Sequence, residues 1–155
     1  NGVLELFGIS GPAWLYDSRW AMLAVVMMSL WAGFGTNMMI FLSGLKGVSQ
    51  SLYEAARVEG ANRWQIFTHI TWPSISKTTF LVTTMLIISS FQVFDQAFIL
   101  TRGGPGNATI TLVYYIYNNG FNNLNMGYAS SISMVLFLII LVFSVMNTRL
   151  NNADI

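Results

Sequence analysis

Asp95 is the one ionisable side chain inside three long apolar runs, and Gln92 precedes it by three residues. A carboxylate and a carboxamide at that spacing share one face of a helix. Together they offer the bonds that solute hydroxyls or a neighbouring helix would take up. A charge at the centre of a bilayer costs on the order of 3 kcal/mol on insertion scales. Asp95 lies close to the end of its run, nearer an interface, where that cost falls. The pair therefore either lines an aqueous pathway or bonds to another helix, and spacing alone leaves both open. No second acid accompanies Asp95 within the runs, so an aspartyl dyad cannot form there. His69 is the only histidine and there is no cysteine, so disulfides and thiolate metal sites are excluded and no metal site is expected.

The runs that must position these groups dominate the chain. Charged residues make up 8% and hydrophobic residues 54%, against roughly 25% charged for an ordinary soluble domain. Trp20 to Leu42 and Tyr128 to Thr148 carry no Asp, Glu, Lys or Arg, and Thr78 to Leu100 carries only Asp95. Each meets the length of about 20 residues that spans the hydrocarbon core. Trp14, Tyr16 and Trp20 flank the first and Tyr128 opens the third, as in an interfacial aromatic belt. The expected fold is an all-α, polytopic membrane helical bundle with three transmembrane helices and a helical cytoplasmic loop. A net charge of +1 leaves no nucleic-acid footprint.

Five of the seven Lys and Arg residues sit between the first two runs or after the third: Lys46, Arg57, Arg63, Lys77 and Arg149. Arg19 and Arg102 lie on the other side. The positive-inside rule then orients the chain. It predicts an external segment 1–19, a span 20–43, a cytoplasmic loop 44–77, a span 78–100, an external loop 101–127, a span 128–148 and a cytoplasmic tail 149–155. An odd number of spans with an external N-terminus is expected of the C-terminal part of a longer membrane protein. Asn37, Gly33 and Gly35 in the first run, and Ser130, Ser131 and Ser133 in the third, read as helix-packing positions.

The cytoplasmic loop reads as two short helices. Ser51-Leu52-Tyr53-Glu54 matches a capping box, which would confine Glu54 to capping its own helix. Gly60 stands where that helix would end in a left-handed turn. Asn62-Arg63-Trp64-Gln65 repeats the cap logic, and Pro73 marks the exit of the second helix. The Ala55-Ala56 pair leaves a low surface that another protein can approach closely. Elsewhere, Gly103-Gly104-Pro105-Gly106 lacks the Lys-Ser/Thr of a phosphate-binding loop and reads as a tight external turn. The chain itself therefore holds no nucleotide motif.

Glu54-Ala55-Ala56, then Gly60, then Ile70-Thr71-Trp72-Pro73 resembles the cytoplasmic loop of binding-protein-dependent ABC importer permeases. Trp72 stands where the family usually has Leu. Phe91-Gln92-Val93-Phe94-Asp95, followed by Leu100-Thr101-Arg102-Gly103-Gly104-Pro105 and Thr109, is similar to the fifth span and next external loop of the sugar-type members. Trp14-Leu15 and the stretch from Tyr114 to Phe121 fit the same pattern. The resemblance covers essentially the whole chain and implies the last three spans of a roughly six-span subunit. It implies a permease, not an enzyme, that moves a sugar, polyol or sugar phosphate across a bacterial or archaeal cytoplasmic membrane. Its implied partners are ABC ATPase subunits that use ATP and Mg, a second and related permease, an extracytoplasmic sugar-binding protein and membrane lipid. Glu54, Ala55, Ala56, Gly60, Ile70 and Pro73 would then couple to the ATPase, with Glu54 meeting a basic residue there. Gln92 and Asp95 would lie on the substrate pathway. A channel or structural membrane subunit without an ATPase is the alternative; it would need no capped docking helix.

Overall fold

A computed structural model describes residues 1–8 and 10–153. Nine α-helical pieces follow one another within them: α1 Gly2–Leu6, α2 Ser18–Lys46, α3 Gln50–Val58, α4 Arg63–Ile66, α5 Trp72–Ser74, α6 Ser76–Phe91, α7 Asp95–Leu100, α8 Leu112–Tyr117 and α9 Met126–Ala153. Two π-helical turns, Phe67–Thr71 and Asn118–Asn122, join α4 to α5 and extend α8. Three stretches are long and apolar enough to cross a membrane: Ser18–Lys46, Ser76–Leu100 and Met126–Arg149. Residues 154 and 155 of the expected tail lie outside the described residues.

The central run of α2 is charge-free, and its ends are set by polar groups. The Asp17 carboxylate accepts from the Arg19 N–H at 2.9 Å, and Lys46 sits in the last turn, where a cation suits the helix dipole. At 29 residues the helix is about 43 Å long, so it extends past the apolar run at both ends. α6 packs along α9, while α2 lies against α6 and α7. The buried positions are mostly small: Ala21 and Val25 on α2, Val82 on α6, Ala97 on α7 and Ala129 on α9. Small side chains let helices approach closely where lipid supplies no hydrophobic drive for association. The outward faces carry the large groups, with Trp31 80% exposed.

Polar packing differs from the sequence expectation. Asn37 donates to the Gly33 carbonyl of its own helix at 2.8 Å, and Ser131 and Ser133 bond to Gly127 and Ala129 on theirs. These groups stay within their own helices because a carbonyl four residues back is always in reach. Between the long spans, among the described residues, Asn147 Nδ2 donates to Thr84 Oγ1 at 2.9 Å, joining α9 to α6. α2 and α6 come close at Gly44, where an added Cβ would fall 2.5 Å from Thr78 Oγ1 on α6.

The segment between α2 and α6 is a hairpin of short helices with defined ends. α3 starts from Ser49 in an extended conformation, without a side-chain cap bond. The Ser51–Glu54 capping box is therefore not formed. The helix begins before Ser51, which puts Leu52, with no acceptor, at the third helical position. Glu54 Oε1 instead accepts from Gln50 Nε2, one turn back, at 2.8 Å. At the other end Gly60 has φ +81°. Its N–H bonds to the Arg57 carbonyl at 3.1 Å, and the Ala61 N–H bonds to the Ala56 carbonyl at 2.9 Å. This is a Schellman closure, which needs a left-handed residue where Gly60 stands.

α4 opens with a complete capping box. Asn62 Oδ1 accepts from the Gln65 N–H at 2.9 Å, and Gln65 Oε1 accepts from the Asn62 N–H at 2.8 Å. Pro73 does not end this helix. It sits inside α5, and the break falls two residues later at Ile75 (φ −95°, ψ 8°). The π turn Phe67–Thr71 comes immediately before, and the Trp72 N–H bonds to Phe67 five residues back. Such widening gives room for a proline ring that would otherwise meet the carbonyl four residues before it.

Two backbone positions give direct tests of this packing. Gly44→Ala overpacks the α2–α6 contact, and overpacking costs about 1–3 kcal/mol. The variant is expected to melt lower in detergent, and adding Thr78→Ala should recover most of the loss. An unchanged melting temperature for Gly44→Ala would show that the two helices do not meet there. At Gly60 an added Cβ meets nothing within 4 Å, so any penalty comes from φ alone. Gly60→Ala should cost about 1–2 kcal/mol, and Gly60→Val more than Gly60→Asn. Faster proteolysis of the α3–α4 hairpin, in the order Val, Ala, Asn, is the expected readout.

Candidate functional site

Two sets of residues singled out by sequence fall in two separate places. In the α3–α4 hairpin, Ala56, Gly60 and Ile70 converge. They line a concavity of about 460 Å³ together with Glu59, Ile66 and His69. Ala56 is buried and Ile70 half-buried. Tyr53 adds a hydroxyl contact to Thr71 Oγ1 at 3.2 Å. Glu54 and Ala55 lie exposed on α3. Pro73 stands apart from the concavity, exposed within α5. Trp72 is exposed and leans on Phe67, whose ring stacks with Trp64 at 5.8 Å. His69 Nδ1 lies 3.1 Å from the Gln65 carbonyl and 2.9 Å from Thr68 Oγ1, which is local helix bonding.

The geometry changes what Glu54 can do. A capping carboxylate is occupied by backbone N–H groups at its own helix start. Glu54 instead lies beyond the first turn, with one recorded bond to a neighbouring amide side chain. Its charge is presented on a helix whose inner face is already packed and whose C-terminal end is closed.

Gln92 and Asp95 lie in the second region, and the expected arrangement is corrected there. The span is not one helix. α6 ends at Phe91, Gln92 has φ −103° and ψ 17°, Phe94 has φ −131° and ψ −57°, and α7 begins at Asp95. Without continuous helical geometry, a three-residue spacing does not place the two groups on one face. Both side chains are exposed, Gln92 within the helix break and Asp95 just after it. The break has local causes. The Ser89 hydroxyl bonds back to the Met85 carbonyl and the Ser90 hydroxyl to Ile87, contacts that bend helices. Phe94 leaves the helical path and packs among Phe98, Tyr114 and Tyr117, at ring separations of 5.2, 6.2 and 5.1 Å. Asp95 then stands in the first turn of α7, where a carboxylate suits the dipole.

The stretch 101–127, expected as a loop, contains α8 and its π turn. Thr111 caps α8, accepting from the Tyr114 N–H at 3.3 Å. Thr109 is fully buried. Its hydroxyl bonds to the Gly104 carbonyl at 2.9 Å and meets the Thr101 hydroxyl. Spacing gave no sign of this burial. The cue was composition: hydroxyls at 101 and 109 bracket a glycine-rich turn that leaves them no bulk to avoid.

The chain resembles known proteins along nearly its full length. It is 36% identical to the "Arabinooligosaccharides transport system permease protein AraP" of Bacillus subtilis (strain 168), over 99% of this chain and 49% of that protein. It is 34% identical to the "Lactose transport system permease protein LacF" of Rhizobium radiobacter, over 93% of this chain and 50% of that protein. It is 36% identical to the "sn-glycerol-3-phosphate transport system permease protein UgpA" of Agrobacterium fabrum (strain C58 / ATCC 33970), over 90% and 49%. The chain thus spans about half the length of the curated relatives it matches. Its fold matches the crystal structure of a bacterial ABC transporter involved in the import of the acidic polysaccharide alginate, with a TM-score of 0.85 at 22% identity, over 99% of this chain and 54% of that one. The same fold is seen, at a TM-score of 0.86, in the alginate transporter in complex with its alginate pentasaccharide-bound periplasmic protein. The family described as binding-protein-dependent transport system inner membrane component matches residues 3–153, and this multi-pass membrane chain belongs to that family.

Proposed function

We propose that this chain supplies three spans of the permease subunit of an ATP-driven ABC importer for a sugar, an oligosaccharide or a sugar phosphate. The α2–α6 hairpin faces the cytoplasm, as the Lys and Arg distribution favours, and docks on a partner ATPase that uses ATP and Mg. A second, related permease completes the pathway, and an extracytoplasmic binding protein delivers substrate to the opposite face in a bacterial or archaeal cytoplasmic membrane. The names of the relatives support the substrate class: arabino-oligosaccharides, lactose and glycerol phosphate all present hydroxyls.

The observation that carries this reading is the hairpin itself. α3 is closed at its end by Gly60, α4 opens on its Asn62–Gln65 box, and Tyr53 of α3 bonds to Thr71 at the end of the π turn that follows α4. A body so constrained, joined to α2 and α6 at its ends, passes on a push as a rigid displacement. A slack loop would absorb it. Glu54, freed from capping, is the exposed charge for a basic residue of the ATPase, and Ala55 permits close approach. A channel or scaffold subunit has no use for such a hairpin.

Gln92 and Asp95 belong to the pathway in this reading. Broken helices at membrane depth are tolerated where they are buried in protein or line an aqueous cavity. An exposed Asp beside such a break is expensive against lipid. Facing a polar route, both groups can bond hydroxyls.

In the full-length transporter, Glu54→Lys is expected to abolish substrate-stimulated ATP hydrolysis or to release the ATPase in detergent. Normal uptake by that variant would remove the docking role. Cysteines placed at 92 and 95, in a chain with no native cysteine, should react with a small polar thiol reagent. Protection by a transported sugar would show direct contact. Labelling without protection would mean an aqueous wall that does not touch substrate, and no labelling in any nucleotide state would put both residues in helix packing.

A further inference from the structure

We propose that Tyr114 is a positioning residue that latches the loop 101–111 onto α7, so that the loop and Asp95 move as one body about the break at Gln92–Phe94. Its importance for transport rests on the pathway reading of Asp95 given above; the latch does not.

The residues around Tyr114 connect both sides. Its hydroxyl donates to the Arg102 carbonyl at 2.9 Å. Its ring occupies the space a Cβ at Gly103 would take: that atom would fall 2.8 Å from Tyr114 Cε1. The other ring contacts are to Phe94 and Phe98, at 6.2 and 6.1 Å. Tyr114 is 9% exposed. One side chain therefore bridges the turn, the break and the half-helix.

The loop is also bonded to the end of α7 by its own backbone and hydroxyls. The Gly103 N–H reaches the Ala97 carbonyl at 3.3 Å, and the Thr101 hydroxyl reaches the same carbonyl at 2.9 Å. Thr109, buried, closes the turn on Thr101 and Gly104. Gly103 has φ +82°, so its glycine serves two needs, the left-handed backbone and the room for the ring. On the α6 side the connection is weaker. Gln92 and Phe94 lie outside both helices, with Val93 between them. Bonds and ring contacts are dense from Phe94 to Thr111, whereas Gln92, among the described residues, bonds only back to Ser89, so displacement of the loop is carried to Asp95 and absorbed at the α6 end of the break.

Hydrogen exchange on the full-length transporter in lipid nanodiscs reads this directly. Tyr114→Leu is expected to speed exchange on the order of tenfold, the scale of two lost aromatic contacts, in both α7 and residues 101–111. Exchange in α2 and α9 should not change. Tyr114→Phe keeps the ring and its contacts and loses only the bond to the Arg102 carbonyl, so it should stay closer to the parent than Tyr114→Leu. Gly103→Ala pushes on the ring from the other side and should reproduce the Leu result, which also serves where Tyr114→Leu folds poorly. Acceleration confined to 101–111, acceleration spread to α2 and α9, or none at all would each overturn the latch. Were Gln92 and Asp95 off the pathway, the exchange pattern would persist while cysteines at 92 and 95 stayed unlabelled, so the two readings fail separately.

Discussion

Backbone N–H and C=O groups find no water in the hydrocarbon core, so a chain that crosses it must satisfy them within itself. This single constraint makes α2, α6 and α9 helical before any side chain is considered. It also gives weight to departures from the helix. A break in a soluble helix is repaired by solvent, but one at membrane depth survives only where protein or an aqueous cavity surrounds it. The interruption at Gln92–Phe94 is such a departure within the stretch Ser76–Leu100. Ser89 and Ser90 loosen the end of α6 by bonding to their own carbonyls, and Phe94 gains an aromatic environment by leaving the helical path. The same constraint keeps hydroxyls on their own helices: Thr79, Thr84, Ser131 and Ser133 all donate to carbonyls four residues back.

Features that depend on composition over many residues were legible in the sequence. Three charge-poor runs can hardly be anything but spans, and the caps at Gly60 and Asn62–Gln65 follow from residue types with few alternatives. Features decided by a one- or two-residue choice were not legible. Ser49 and Ser51 are both serines, and the helix takes the earlier one, which moved Glu54 out of the cap. Pro73 signals an ending, yet a π turn upstream makes room for it and the break waits until Ile75. Nothing local marks Asn147 as the residue that crosses to Thr84, because its partner lies 63 positions away. The three-residue spacing of Gln92 and Asp95 misled for the same reason: a periodicity argument assumes the helix it is meant to test.

Rigidity is distributed unevenly, and the pattern agrees with the proposed coupling. The α3–α4 hairpin is closed by paired caps and by the Tyr53–Thr71 contact. It joins α2 through Gly47 and α6 through Ile75. Close behind the first joint, Gly44 and Thr78 hold α2 and α6 together with no space for a methyl group. A force applied at Glu54 therefore meets a small stiff body attached to two helices that are themselves pinned near the attachment. Tilting both together is the soft response, because bending any one of them would require breaking main-chain bonds that have no replacement in lipid.

The far end of the second span has the opposite character. There the stiff body is α7 with its glycine-rich turn, and the soft place is a three-residue gap before it. Motion arriving along α6 need not tilt α7 by the same angle, since residues 92–94 can take up the difference without loss of helical bonds. Conversely, contact made on the 101–111 turn is delivered to Asp95 through Thr101, Gly103 and Tyr114. Ala97 is fully buried, and α7 packs against α2, whose own buried positions are Ala21 and Val25. Small side chains at the buried positions of α2 and α7 let the two helices meet without large groups between them.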